Sequence, residues 1–203
     1  TDDGLNRYPD PRPEALVHAL ASLYGVASGQ VLVTRGSDDA IDLLVRAFCT
    51  AGQDAVLVTP PTFGMYAVAA RLQGADVVAV PLRRDFSLDT SAVLAAATEQ
   101  VKLVFLCSPN NPTGSLVSPR AVDTLCRELR GRAVVVVDEA YVEFSRHPGF
   151  TDRLERYPNL VLLRTLSKAW GLAGARVGTL RRLQPAELAA TRRRTAAIVR
   201  RRE

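Results

Sequence analysis

Long apolar runs are missing from this 203-residue chain, and with them the means to cross a membrane as a helix: no 18 consecutive residues are all apolar. Cysteine is scarce and odd in number: Cys49, Cys107 and Cys126 lie in apolar surroundings and cannot form a closed disulfide framework. Buried free thiols in a reducing compartment, the cytoplasm, are the expectation. Histidine is scarcer still. His18 falls in the first predicted helix and His147 precedes Pro148 in a loop, and neither has the neighbours of a metal centre. The opening TDDGLNRYPDPRPE is polar and reads as no signal peptide. Internal repeats are absent, and the arginine-rich end is the one biased tract.

That end carries the charge. The net charge is +5, but residues 181–203 hold eight arginines and two glutamates, a local +6, so the remainder is −1. No aromatic residue interleaves with those arginines, and no finger or helix-turn-helix pattern accompanies them, so nucleic acid is not an expected partner.

What the chain does contain is alternation. Pro13 opens a helix that runs to Gly25, and a strand follows over 30–34. Ser37 is placed to cap a helix over 38–48, with Asp38 and Asp39 at its positive end. A strand over 55–59 is closed by Pro60-Pro61, then come a helix over 65–72 and a strand over 76–80. Asp89 or Thr90 caps a short helix to about residue 98, and the apolar strand 101–107 runs into SPNNPTG. Ser118-Pro119 opens a helix to 129, a valine-rich strand over 133–137 ends at Asp138, 154–157 reads as a short helix end, and 160–163 as a strand. Short apolar strands alternating with helices predict an α/β fold, a mostly parallel sheet flanked by helices on both faces. Ligands of such sheets sit beyond the carboxyl ends of the strands. The polar clusters fall there: Gly36-Ser37, Thr62-Phe63, Asn110-Asn111, Asp138 to Tyr141, and Ser167-Lys168.

Residues 164–178, RTLSKAWGLAGARVG, are where these parts converge. Alone, Lys168 reads as a solvated surface lysine; among hydroxyls and an arginine it reads as an amine able to condense with an aldehyde cofactor. Thr165, Ser167 and Arg176 offer hydroxyl and guanidinium donors to a phosphate. Gly36, Ser37 and Asp38 add the free N–H groups of a helix start, with the Asp38 side chain turned away or capping the helix. Asp138 is either a cap at a strand end or a carboxylate facing a protonated ring nitrogen. Tyr141 and Asn111 could hydrogen-bond a ring oxygen, and Phe63 could stack on a ring.

Six stretches carry a resemblance: LNRYPDP (5–11), RGSDDAIDLLVRAF (35–48), PPTFGMY (60–66), CSPNNPTG (107–114), VVDEAYVEF (136–144) and RTLSKAWGLAGARVG (164–178). In this order and spacing the chain resembles the aspartate-aminotransferase superfamily, class I/II aminotransferases of fold type I, and within it the histidinol-phosphate aminotransferases. The resemblance implies pyridoxal 5′-phosphate as cofactor and the fold-type-I large domain. It implies Lys168 as the lysine bound covalently to the cofactor and Asp138 as partner of the pyridine nitrogen. Asn111 and Tyr141 would bind the ring 3-oxygen, and Phe63, where relatives often carry Tyr, would stack on the ring. The phosphate would lie among Gly36, Ser37, Asp38, Ser167 and Arg176, with Thr165 close behind. Tyr8 would reach across a homodimer interface to the partner's cofactor.

The implied reaction is transamination of small-molecule amino and 2-oxo substrates, namely histidinol phosphate and 2-oxoglutarate to imidazole-acetol phosphate and glutamate, in histidine biosynthesis. An aromatic-amino-acid aminotransferase, an amino-acid-phosphate decarboxylase, or a non-catalytic remnant serving as a scaffold are the alternatives. The expected organisation is a cofactor-binding large domain over 1–180, with an interface segment at 1–12, and an arginine-rich helical segment at 181–203. Relative to the family the chain reads as incomplete, with the small domain largely missing and no residue assignable to gripping the substrate carboxylate or phosphate.

Overall fold

The computed structural model describes residue 10 and residues 13–181. Helix α1 (Glu14–Tyr24) leads into β1 (Val31–Thr34), α2 (Ser37–Phe48), β2 (Ala55–Val58), α3 (Met65–Gln73) and β3 (Asp76–Ala79). Then follow α4 (Thr90–Ala96), β4 (Val101–Cys107), α5 (Pro119–Glu128), β5 (Val134–Asp138), β6 (Leu160–Thr165) and β7 (Gly178–Arg181). The strands form one seven-stranded sheet in the order β1-β7-β6-β5-β4-β2-β3. Neighbours from β6 to β3 run parallel, while β7 is antiparallel to both β6 and β1.

The central strands are sealed on both faces, as their unbroken apolar runs require. Alternate residues serve opposite layers. On one face Val135, Val137, Leu160 and Leu162 pack with α4 and α5 through Val93, Val122 and Leu125. On the other, Val136, Val161, Leu163 and Phe105 pack with α2 and α3 through Ile41, Leu44, Tyr66 and Ala70. Cys107 belongs to the second layer, and all three thiols are free and buried.

Local signals placed most boundaries. Gly25 closes α1 in the left-handed conformation, the Asp89 carboxylate caps α4 by accepting from the Ala92 N–H, and Ser118 caps α5 by accepting from the Ala121 N–H. Three readings need correction. Ser37 is the first residue of α2 and not its cap; Gly36 holds the cap position, and the Asp39 carboxylate reaches back to the Arg35 N–H at 3.0 Å. Residues 154–156 are a turn following a 3-10 helix over Thr151–Arg153, and Tyr157 lies beyond it. Strand β7 was not expected, and it takes Arg181 into the sheet, across the boundary drawn before the arginine-rich segment. Residues 182–203 lie outside the described residues. Among the described residues no helix is long and apolar enough to cross a membrane.

Candidate active site

Register decides where the strand ends meet. Cys107 at the end of β4 pairs with Asp138 at the end of β5. Gly178, first residue of β7, pairs with Thr34 on one side and Thr165 on the other. The start of α2 is thereby drawn against the loop that follows β6. A Cβ on Gly178 would lie 2.6 Å from the Ser37 nitrogen and closer still to the Gly36 carbonyl carbon, so only glycine permits this approach. Gly36 is fixed by a second contact: its φ is 82°, and a Cβ there would lie 2.7 Å from the Arg176 guanidinium.

A cleft of about 500 Å³, open mouth included, lies over these strand ends. Every site residue proposed from the sequence that falls within the described chain lines it. Gly36, Ser37 and Asp38 come from the start of α2, Phe63 from the turn before α3, and Asn111 from the loop after β4. Asp138 and Tyr141 come from the end of β5 and its turn; Thr165, Ser167, Lys168 and Arg176 come from the end of β6 and beyond. Cys107 and Ala140 line it too. Tyr8 lies outside the described residues.

The cleft has two chemically distinct ends. At one, the α2 N-terminus, Ser167 and Arg176 gather donors. Thr165 Oγ1 donates to Ser167 Oγ at 3.0 Å and accepts from the Ser167 N–H at 3.1 Å, which leaves the Ser167 hydrogen for an acceptor in the cleft. Arg176 takes the left-handed conformation, φ 50°, and its guanidinium is tied to the carbonyls of Arg35, at 3.2 Å, and Ala173, at 3.4 Å. At the other end sits Asp138, only 2% exposed. Oδ1 accepts from the Ala140 N–H at 3.0 Å and Oδ2 from the Tyr66 hydroxyl at 2.8 Å. Burial above all, together with the charges of Asp38 and Glu139, pushes this carboxyl up to about 6 against the opposing pull of the Tyr66 and Ala140 donors. Among the described residues no lysine, arginine or histidine forms an ion pair with it.

The Lys168 ammonium lies 5.4 Å from the centre of the Tyr141 ring. Asn110, beside Asn111, has a different task. Its side chain donates to the Pro61 carbonyl at 2.9 Å and to Thr113 Oγ1 at 2.8 Å, and accepts from Thr62 at 2.8 Å, which locks the loop and leaves Asn111 facing the cleft. A wider, more apolar groove adjoins the cleft; it shares Asn111 and Tyr141 and is walled by Leu116, Phe144 and Arg146. Among the described residues no cluster of three or more His, Cys, Asp or Glu is placed to hold a metal ion.

Sequence reasoning missed Tyr66. It stands 72 positions from Asp138, fully buried, and only its place in PPTFGMY marked the stretch as interesting. Cys107 was read merely as a buried thiol, and burial does push that thiol up to about 12, where it is inert as a nucleophile.

This sheet, with its one antiparallel strand and its cleft at the strand ends, is the large-domain architecture of fold type I transferases. The family model for aminotransferase class I and II matches residues 1–197, and the chain belongs to that family. It is 55% identical over 200 residues to a histidinol-phosphate aminotransferase of Xanthomonas euvesicatoria, covering 97% of this chain and 54% of the relative. Among solved structures it resembles histidinol-phosphate aminotransferase from Sinorhizobium meliloti in complex with pyridoxal-5′-phosphate, with TM-score 0.77 and 31% identity over 86% of this chain and 48% of that one. It also resembles L-threonine-O-3-phosphate decarboxylase from Porphyromonas gingivalis, with TM-score 0.75 and 26% identity over 94% of this chain and 57% of that one. The chain thus spans about half the length of the relatives it matches.

Proposed function

We propose that this chain forms the cofactor-binding part of a pyridoxal-phosphate-dependent aminotransferase. Its proposed substrates are histidinol phosphate and 2-oxoglutarate, giving imidazole-acetol phosphate and glutamate. The observation that carries this reading is the buried Asp138 carboxylate without a cationic partner, in one cleft with Lys168 and a phosphate-type donor set. A buried carboxylate held by neutral donors alone still gains from a positive charge opposite it, and a protonated pyridine nitrogen is such a charge. The donors around Ser37, Ser167 and Arg176 suit a phosphate dianion. The residues therefore fit the cofactor at both ends.

When bound, pyridoxal phosphate supplies an aldehyde that takes up the substrate amine and a ring that draws electrons from its α carbon. The protein's residues do the rest. Asp138 would keep its charge against the ring N–H. Asn111 and Tyr141 would hydrogen-bond the ring oxygen, and Phe63 would lie against the ring. The Ser37 and Asp38 N–H groups, the Ser167 hydroxyl and the Arg176 guanidinium would hold the phosphate, while Thr165 orients Ser167. Lys168 Nζ would hold the aldehyde carbon at rest and, once the substrate amine has displaced it, would take the proton from the substrate's α carbon. The adjoining groove, which shares Asn111 and Tyr141, would receive the substrate's body. A homodimer in which Tyr8 reaches the partner's phosphate completes the proposal. An amino-acid-phosphate decarboxylase is the second reading, supported by the likeness to the Porphyromonas enzyme; 55% identity against 26% favours the first.

The test is the absorption spectrum of the purified protein with pyridoxal phosphate. We expect a visible band that survives desalting, disappears in Lys168→Ala, and is discharged by histidinol phosphate. A protein that stays colourless, or a band unaffected by Lys168→Ala, overturns the assignment.

A further inference from the structure

We propose that Tyr66 is a positioning residue: its hydroxyl holds the Asp138 carboxylate ionised and oriented toward the cleft, and it acts on the cofactor only through that carboxylate. The inference rests on reading the cleft as the pyridoxal-phosphate site.

Tyr66 lies in the first turn of α3 and is fully buried. Its ring stacks on Phe105 of β4 at 4.7 Å, with 6° between the planes. Phe63 lies edge-on to it at 5.6 Å. A ring fixed on both sides cannot swing its hydroxyl away, so the 2.8 Å bond to Asp138 is built in. The Ala140 N–H is the other donor, and it belongs to the backbone. Among the described residues Tyr66 is thus the side chain that hydrogen-bonds Asp138, leaving each carboxylate oxygen one engaged lone pair and capacity for another partner in the cleft.

The surroundings oppose ionisation. Asp38 from α2 and Glu139 on the same strand end are negative. Cys107 of β4 is neutral, and the cations that line the cleft, Lys168 and Arg176, form no ion pair with Asp138. Burial and the neighbouring carboxylate hold the Tyr66 phenol well above its usual range, so it remains a donor throughout the working pH range. A neutral donor with a fixed ring is what allows a carboxylate to wait in an apolar layer for a cation that arrives with a ligand. Phe63 contacts the same tyrosine, so one side chain registers both the group proposed to stack on the ring and the group proposed to meet its nitrogen.

The experiment is a titration of the Asp138 carboxyl by carbon NMR in the chain without cofactor, identified by its loss in Asp138→Asn. The wild-type midpoint is expected at about 6. Tyr66→Phe keeps the ring and removes the donor, and should raise the midpoint by about one unit. A midpoint that does not move in the folded variant overturns the proposal. If Tyr66→Phe does not fold, 3-fluorotyrosine at position 66 replaces it: the more acidic phenol of unchanged shape should lower the midpoint, and no movement again overturns the proposal. Pyridoxal-phosphate affinity supplies the second readout. Tyr66→Phe should weaken it about tenfold in the wild-type background and leave it unchanged in Asp138→Asn. Equal weakening in both backgrounds would show a packing role only and sink the inference. A wild type that binds no pyridoxal phosphate defeats the cofactor reading, whereas the carboxyl titration still decides what Tyr66 does.

Discussion

Asp138 and Glu139 are adjacent carboxylates, both inside the protein, at 2% and 0% exposure, yet they are treated in opposite ways. Glu139 turns to the side away from the cleft and is completed by the chain itself. Arg164 Nε donates to its Oε2 at 2.8 Å, and the Phe150 N–H donates to its Oε1 at 2.6 Å. The same arginine reaches Glu143 at 3.2 Å and lies over the Tyr24 ring at 5.5 Å. Asp138 turns into the cleft, where two neutral donors hold it and no cation pairs with it. One acid ties β5 to β6 and a loop; the other keeps an electrostatic demand that something from outside must meet. A site for a cationic ring can be told from a structural ion pair by that unfinished state.

The contrast is broken most severely from the Glu139 side. Arg164→Met should leave Glu139 as a buried, uncompensated charge and cost about 3–5 kcal/mol in urea unfolding. Asp138→Asn should do the reverse. The folded carboxyl sits at about 6 against an ordinary 3.8, so the native state binds a proton that the unfolded chain releases between those values. This group therefore lowers stability as pH rises from about 4 to about 6, with the full cost present at pH 7. Removing its charge should stabilise the cofactor-free protein at pH 7 by about 2–3 kcal/mol, with little gain at pH 4, while pyridoxal-phosphate binding is weakened but remains measurable. Urea melts at the two pH values, with and without cofactor, check both halves.

Gly178→Ala probes the other end of the cleft. The added methyl presses on the start of α2, and a destabilisation of about 1–3 kcal/mol is expected together with weaker phosphate binding, read by calorimetry with inorganic phosphate. Ser118→Ala sharpens the comparison as the mildest change. It removes the cap of α5 on the far side of the sheet and should cost about 1 kcal/mol while leaving cofactor affinity untouched.

Local chemistry made much of this legible. Valine runs bounded by proline and glycine announced strands, and Asp89 and Ser118 announced helix starts, because capping and burial patterns act over a few residues. The cleft residues were legible for a related reason: most stand at or just past a strand end, where a parallel sheet gathers its loops. Ser37 was misjudged as a cap because Gly36 already makes the turn and Asp39 satisfies the Arg35 N–H. Strand β7 was invisible because four residues with no apolar alternation become a strand only between two partners, one supplied from 144 to 150 positions away and the other the strand just before it.

By itself, then, the sequence determined the order of elements, the alternation that makes a two-faced sheet, and which side chains could meet a phosphate or a ring. The tertiary structure alone decided the insertion of β7 between β1 and β6, the approach of Gly178 to the α2 N-terminus, and the choice of Tyr66 as the donor to Asp138. The physical reason is distance along the chain. Propensity and capping are settled among neighbours, whereas register, burial and the pairing of charges depend on segments that only folding brings together.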